Sequence, residues 1–331
     1  MKSKFSQQSS DLEAGPGAAG EHTSAETAVD DASAGASHEE AAQGQKFGTH
    51  HGPAYYAIQR FLDNRSAVVS SIVLSLLLLM ALFAPVIAKT GYQEQAFLQK
   101  VFAFPSWEHP FGVDPLGRDF FSRVIYGARV SIGVGLSSAV ISLIIGLPLG
   151  AIAGYRGGAF DWAVMRLVEI FSVVPPLLVA IIIAALVGGG VINIVLISSA
   201  FLWVHTCRLV RGQVMAYKKR EFIQASRALG ASSQYIIRKH LIPNSVSPII
   251  VGFVLAIPRA MMIEASLSFL GVGINAPIPS WGQMISEGLN YMFFYWHLAV
   301  FPTLFLAITV LTTTLFGDGL RDAVDPTMKG K

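Results

Sequence analysis

The chain has 331 residues, of which 53% are hydrophobic and only 14% charged, with a formal net charge of +3 and a mean hydropathy of +0.53. Soluble domains carry roughly 25% charged residues, so this chain lacks the polar surface a water-soluble fold of its size requires, and an integral membrane protein is expected. The small net charge gives no footprint for nucleic acid, and the single cysteine, Cys207, excludes an internal disulfide and a cysteine-based metal cluster.

Residues 1–45 are rich in Ala, Gly, Ser, Glu and Asp with almost no large apolar side chains. Such a segment cannot bury enough surface to offset its chain entropy, so a disordered tail is expected, either idle or partner-binding. It has no apolar run of signal-peptide type, and His50 and His51 just beyond it read as surface residues. A juxtamembrane segment, 46–65, follows. Ser66 to Ala88 is uncharged and includes Leu76-Leu77-Leu78-Leu79, enough helix to cross a hydrocarbon core of ~30 Å. Val130 to Tyr155 is a second uncharged run. Ile170 to Cys207 is too long for one span, and Gly188-Gly189-Gly190 divides it into two helices joined by a tight turn. Cys207, near the end of that run, reads as a small apolar residue. Ser245 to Leu270 makes a fifth span, carrying Arg259 and Glu264, and Leu298 to Phe316 a sixth. The expected fold is therefore all-α, six transmembrane helices over a domain 66–318, with a short tail 319–331.

Orientation follows from lysine and arginine in short loops. The stretch 208–244 carries Arg208, Arg211, Lys218, Lys219, Arg220, Arg227, Arg238 and Lys239 against one acid, Glu221. Gly271 to His297 has neither lysine nor arginine, and the glycine turn has none. Placing the basic loop in the cytoplasm puts both termini there, in agreement with Arg60, Arg65, Arg321, Lys329 and Lys331.

Within that loop, Glu221-Phe222-Ile223-Gln224-Ala225-Ser226-Arg227-Ala228-Leu229-Gly230 continues to Ile242-Pro243-Asn244. Good helix formers run to Leu229, Gly230 permits a left-handed stop, and Ser232 or Ser233 can cap a second helix. Pro243 limits continuation. The small residues Ala225, Ser226 and Ala228 leave a slim surface for close approach by another protein; the alternative is a basic helix lying on anionic lipid.

The spacing of Gln224, Ala225, Ser226, Gly230 and Pro243 resembles the Glu-Ala-Ala loop of bacterial ABC-importer permeases. Gln224 stands where Glu is usual and Ser226 where Ala is usual, so a charge is lost that Glu221 can supply instead. His109-Pro110-Phe111-Gly112-Val113-Asp114-Pro115-Leu116-Gly117-Arg118-Asp119 and Ser122 to Arg129 resemble the signature before the second span of dipeptide/oligopeptide permease C subunits. Glu264 to Gly273, Pro279-Ser280-Trp281-Gly282 and Gly317 to Ala323 do so as well, in the same order over roughly Ala54 to Met328. The resemblance implies a type I ABC-importer permease fold in the bacterial cytoplasmic (inner) membrane. It implies alternating access for di- or oligopeptides, with Glu221, Gln224, Ala225, Ser226, Gly230 and Pro243 coupling to the motor. The implied partners are a second homologous permease, two cytoplasmic ATPase subunits that bind ATP and Mg, an extracytoplasmic substrate-binding protein, and lipid. Asp114, Arg118, Asp119 and Trp281 are the implied contacts to the binding protein, although Trp281 also reads as an interface anchor. The same family serves glutathione, nickel chelates and some sugars, so the substrate stays open.

The chain itself carries no Gly-x-x-x-x-Gly-Lys-Ser/Thr phosphate loop and no paired metal-ligand spacing. No cofactor is expected in this chain, and a non-catalytic subunit fits better than a membrane enzyme. A secondary transporter usually shows internal repeats with helices broken at the midplane, and no clear repeat is visible. Arg259 and Glu264 are five apart, about 140° around a helix, so they do not pair directly. Either they line the translocation path or they contact the companion permease. Arg166 and Glu169, at i,i+3, read as a helix-end pair.

Overall fold

The computed structural model describes residues 53–324. The expected tail 1–45, the start of the juxtamembrane segment, His50 and His51, and residues 325–331 lie outside them.

Among the described residues the regular structure is helical, apart from one isolated antiparallel bridge between Val113 and Asp119. Helix α1 (Pro53–Asp63) precedes α2 (Arg65–Leu82), whose start is fixed by Asn64 accepting from Ser66 N and Ala67 N. A single turn, α3 (Ala84–Ile87), extends that span. The long α4 (Phe120–Arg156) is followed by α5 (Gly158–Val173), α6 (Pro176–Val187) and α7 (Val191–Tyr217). The basic loop holds α8 (Glu221–Ala228), α9 (Ser233–Tyr235), a π-turn at Ile236–Leu241 and α10 (Ile242–Asn244). Helix α11 (Val246–Phe269), α12 (Trp281–Leu289) and α13 (His297–Val324) complete the chain.

Five of these helices are long and apolar enough to cross a membrane, and α5 with α6, bent by 86°, brings the number to six if the pair is one span. The third span therefore begins earlier than Ile170. Its break lies at Val174-Pro175-Pro176, not only at the glycine triplet that separates it from α7. A residue before proline is pushed to extended backbone, as Val174 is at φ −79°, ψ 132°, and the helix stops there. Helix α13 likewise continues through Gly319–Val324, where a tail had been expected, because Gly319 and Ala323 are buried against the bundle. Two helices, α1 and α12, were not anticipated.

The most extensive helix pair is α4 with α7. Lipid tails are as apolar as Leu, so spans gain little from burying apolar area against each other and rely on close packing of small residues. Gly146, Gly150 and Gly154, each one turn apart, form that seam. A Cβ at Gly146 would stand 2.8 Å from Trp203 O, one at Gly154 2.8 Å from Arg211 O, and one at Gly150 would collide with Cys207 O. The close approach seals Cys207, Val210 and Val214 inside the bundle.

Gly150→Leu is expected to lower the thermal midpoint of the purified chain sharply, since overpacking into backbone costs at least ~1–3 kcal/mol. Gly133→Leu, on the same helix with no atom within 4 Å of its Cβ position, should leave the midpoint in place. Equal melting of the two variants would refute the seam.

Candidate functional site

Of the expected features, the loop between α7 and α11 stands most clearly apart from the bundle. Helix α8 opens with Glu221 in its first turn and closes with Arg227 in its last, both complementing the helix dipole. It stops in a Schellman arrangement: Gly230 N donates to Arg227 O at 3.0 Å and Ala231 N to Ser226 O at 3.1 Å. Gly230 sits at φ +81° with open space around its Cβ position, so conformation and not crowding requires the glycine. Ser232 then accepts from Tyr235 N at 3.3 Å, capping the second helical segment as the sequence suggested.

Three side chains anchor the loop. Ile223, Ile236 and Leu241 are fully buried in one cluster with Tyr155 of α4, Val210 and Val214 of α7, and Ile249 of α11. Around that anchor α8 has distinct faces. Phe222, Ala225 and Leu229, at i, i+3 and i+7, share one face and are exposed, Leu229 to 89%. Gln224 lies on the other side with Arg227 and Ala228, its Nε2 donating to Lys219 O at 3.2 Å. Ser226 is half-buried, bonded to Phe222 O at 2.9 Å. Glu221 is exposed and has no ion pair among the described residues, and Pro243 is exposed at the far end.

The residues expected to meet a binding protein are not surface residues. Asp114, Arg118, Asp119 and Trp281 are all buried, at 0%, 5%, 1% and 0% exposure. Asp114 Oδ2 accepts from Arg118 Nε at 2.5 Å and from Arg123 Nη1 at 2.7 Å, and Arg123 also reaches Glu287 of α12 at 3.4 Å. Asp119 caps α4, accepting from Ser122 N at 2.9 Å, and stands 3.3 Å from His109 Nδ1. Trp281 is no interface anchor: its Nε1 donates to Val124 O at 3.0 Å and its backbone N to Ser131 Oγ at 3.1 Å. This network fastens the segment before α4 to α12. Buried charges persist only when paired and hydrogen-bonded, and the pairing of Asp114 with Arg123, and of Arg123 with Glu287, carries no local signal in the sequence.

Arg259 and Glu264 part company. Glu264 is wholly enclosed, accepting from Ser268 Oγ at 2.9 Å and Ser131 Oγ at 3.3 Å, and is not among the residues lining the cavity at Arg259. Arg259 is exposed and opens onto a cavity of about 880 Å³ that also meets His205, Asp318 and Arg321, between Phe201 and Met262. Arg166 Nη1 donates to Glu169 at 2.7 Å, as the i,i+3 spacing suggested. No group of three or more metal-ligating side chains occurs among the described residues.

Comparison with known proteins adds the wider relationship. Residues 146–330 match the family of binding-protein-dependent transport system inner membrane components, and residues 52–105 match the N-terminal transmembrane domain of oligopeptide transport permease C. The oligopeptide transport system permease protein OppC of Bacillus subtilis (strain 168) is 41% identical over 274 residues, covering 82% of this chain and 89% of that protein. The dipeptide transport system permease protein DppC of the same organism is 39% identical over 274 residues, covering 82% and 85%. A glutathione transport system permease protein, GsiD of Pectobacterium atrosepticum, is 38% identical over 271 residues, covering 82% and 90%.

Asp114→Asn is expected to destabilise the isolated chain by ~3 kcal/mol or more, because Arg118 and Arg123 would stay charged in a buried site. The exposed Trp107→Ala serves as the neutral control. Unchanged melting of Asp114→Asn, with a loss seen only on adding a binding protein, would return these residues to a docking role.

Proposed function

Because the chain belongs to the family of binding-protein-dependent transport system inner membrane components, we propose that it is a translocating permease subunit of an ATP-binding-cassette importer for small peptides. The observation that carries the reading is the exposed α8 helix seated on three spans through Ile223. ATP hydrolysis belongs to two partner subunits, and cargo arrives from an extracytoplasmic binding protein through a pathway shared with a second permease. The basic loop faces the cytoplasm, and with it both termini, in line with the lysine and arginine distribution.

Force transfer follows from the anchor. A close-packed cluster transmits displacement and does not yield to it. Movement of α8 by an ATPase would therefore carry α4, α7 and α11 through Ile223, Ile236 and Leu241. The docking face is Phe222, Ala225 and Leu229, with Glu221 supplying the charge that Gln224 lacks. On α11, Arg259 faces the path. A permanent cation on a membrane-spanning helix must meet water or an anion, and every peptide with a free C-terminus brings a carboxylate. The permease relatives named for oligopeptide, dipeptide and glutathione transport all handle cargo of that chemistry.

Gly230→Pro, which fixes φ near −65° and removes the N–H to Arg227, and Ala225→Trp, on the exposed face, are expected to leave membrane insertion intact. ATP-driven peptide uptake in proteoliposomes should be abolished. Normal uptake by either variant would sink the coupling assignment. Arg259→Gln should slow uptake of peptides with a free carboxylate about tenfold, since a hydrogen bond to a charged group contributes ~1.5–3 kcal/mol, while C-terminally amidated peptides are little affected. Equal slowing of both would place Arg259 at a subunit contact.

A further inference from the structure

A groove of about 830 Å³ opens where α4, α5, α7 and α8 meet. Lys218 and Lys219 after α7 and Arg227 on α8 line it, with Asp161 as the acid among its lining residues. That acid is already engaged: Asp161 Oδ1 and Oδ2 accept from Arg211 Nε at 2.5 Å and Nη2 at 2.6 Å. No other carboxylate among the described residues forms an ion pair with Lys218, Lys219 or Arg227. Instead Lys218 Nζ and Arg227 Cζ lie 5.6 and 5.3 Å from the Tyr155 ring centroid, so one aromatic ring draws two cations without neutralising either. Like charges lining one concave groove favour an anion from outside the chain.

Depth decides which anion. The groove lies at the ends of α4 and α7, both long and apolar enough to span a bilayer. On the adjoining α5, Trp162 is exposed with the Arg166 guanidinium 5.6 Å from its ring. Tryptophan is enriched at the level of lipid headgroups, and Trp162 directly follows Asp161 of the groove. Met215 supplies an apolar wall. The groove also sits on the Gln224–Arg227–Ala228 side of α8, about opposite Phe222, Ala225 and Leu229, so a protein docked on that outer face leaves it open to the membrane.

We propose that this groove binds the phosphate headgroup of an anionic phospholipid, held by Lys218, Lys219 and Arg227 between the spans and the loop. The site is independent of what the importer carries. The lipid neutralises the gathered cations and steadies α8 on its seat.

The test uses the full-length chain in detergent, with native mass spectrometry and titration of dioleoyl-phosphatidylglycerol, dioleoyl-phosphatidylcholine and inorganic phosphate. Wild type should retain phosphatidylglycerol at far lower concentration than phosphatidylcholine. The triple variant Lys218→Gln, Lys219→Gln, Arg227→Gln should lose roughly a hundredfold in that affinity, about fivefold per basic residue. Lys219→Glu alone, at an exposed position, should lose at least about fivefold and guards against misfolding of the triple variant. An equal loss of charge outside the groove, Arg220→Gln with Arg238→Gln and Lys239→Gln, should preserve binding. The proposal fails if that control loses as much as the groove variant, which would mean diffuse attraction only. It fails equally if millimolar inorganic phosphate displaces the lipid completely, marking a site for soluble phosphate, or if partner ATPase subunits expel it, marking a protein contact.

Discussion

The structure depends first on how closely α4 and α7 approach. In hydrocarbon, two Leu-faced helices have no reason to prefer each other over lipid, and the distance between them is set by what their surfaces allow. Gly146, Gly150 and Gly154 allow backbone to meet backbone along the cytoplasmic half of the proposed topology. A pair held so tightly acts as one rigid element, and the rest of the bundle is arranged around it. The cluster of Val164, Val168 and Trp203 packs on one flank of that pair. Another flank receives α6 and α11 through Ala180, Ile194 and Leu267.

The same seam explains how so small a loop is seated firmly on the bundle. Because α4 and α7 end together, Tyr155, Val210 and Val214 present a single socket, and Ile223 fills it. An eight-residue helix would be marginal alone. Here its dipole is complemented, its end is closed by the Gly230 turn, and its apolar anchor is buried, which leaves Phe222, Ala225 and Leu229 exposed on the outer face. The Arg211–Asp161 pair adds a polar tie between α7 and α5 at the same level.

What the sequence made legible follows from where the governing interactions lie. Spans and loop charge are local properties of composition, and the Gly230 stop and Ser232 cap are local backbone chemistry, so the runs around α2, α4, α11 and α13 and both halves of the loop could be read directly. The Val174–Pro176 bend was local too, but the glycine triplet offered a stronger break in the same apolar run and drew the boundary to itself. The network around Asp114 was not legible, because charges in a loop look solvent-facing until their partners are placed. Arg123 and Glu287 are 164 positions apart, and nothing short of the fold brings them together. Trp281 was misread for the same reason: its partners Val124 and Ser131 come from a different span.

Arg259 and Glu264 show how the fold distributes charge once those contacts exist. Five residues separate them on α11, and about 140° of rotation turns one inward and the other outward. The carboxylate was given its partners inside the chain, where Ser131 and Ser268 tie α4, α11 and the segment leading to Ile274 into one unit. These hydrogen bonds hold the helices together around a carboxyl group that has no ion pair among the described residues. The guanidinium was given none, since no ion pair to Arg259 forms among the described residues. One side chain is thus enclosed by hydrogen bonds that join spans, and the other faces an open cavity that Asp318 and Arg321 of the last span also line, so positions five apart on one helix serve the packed interior and an open surface.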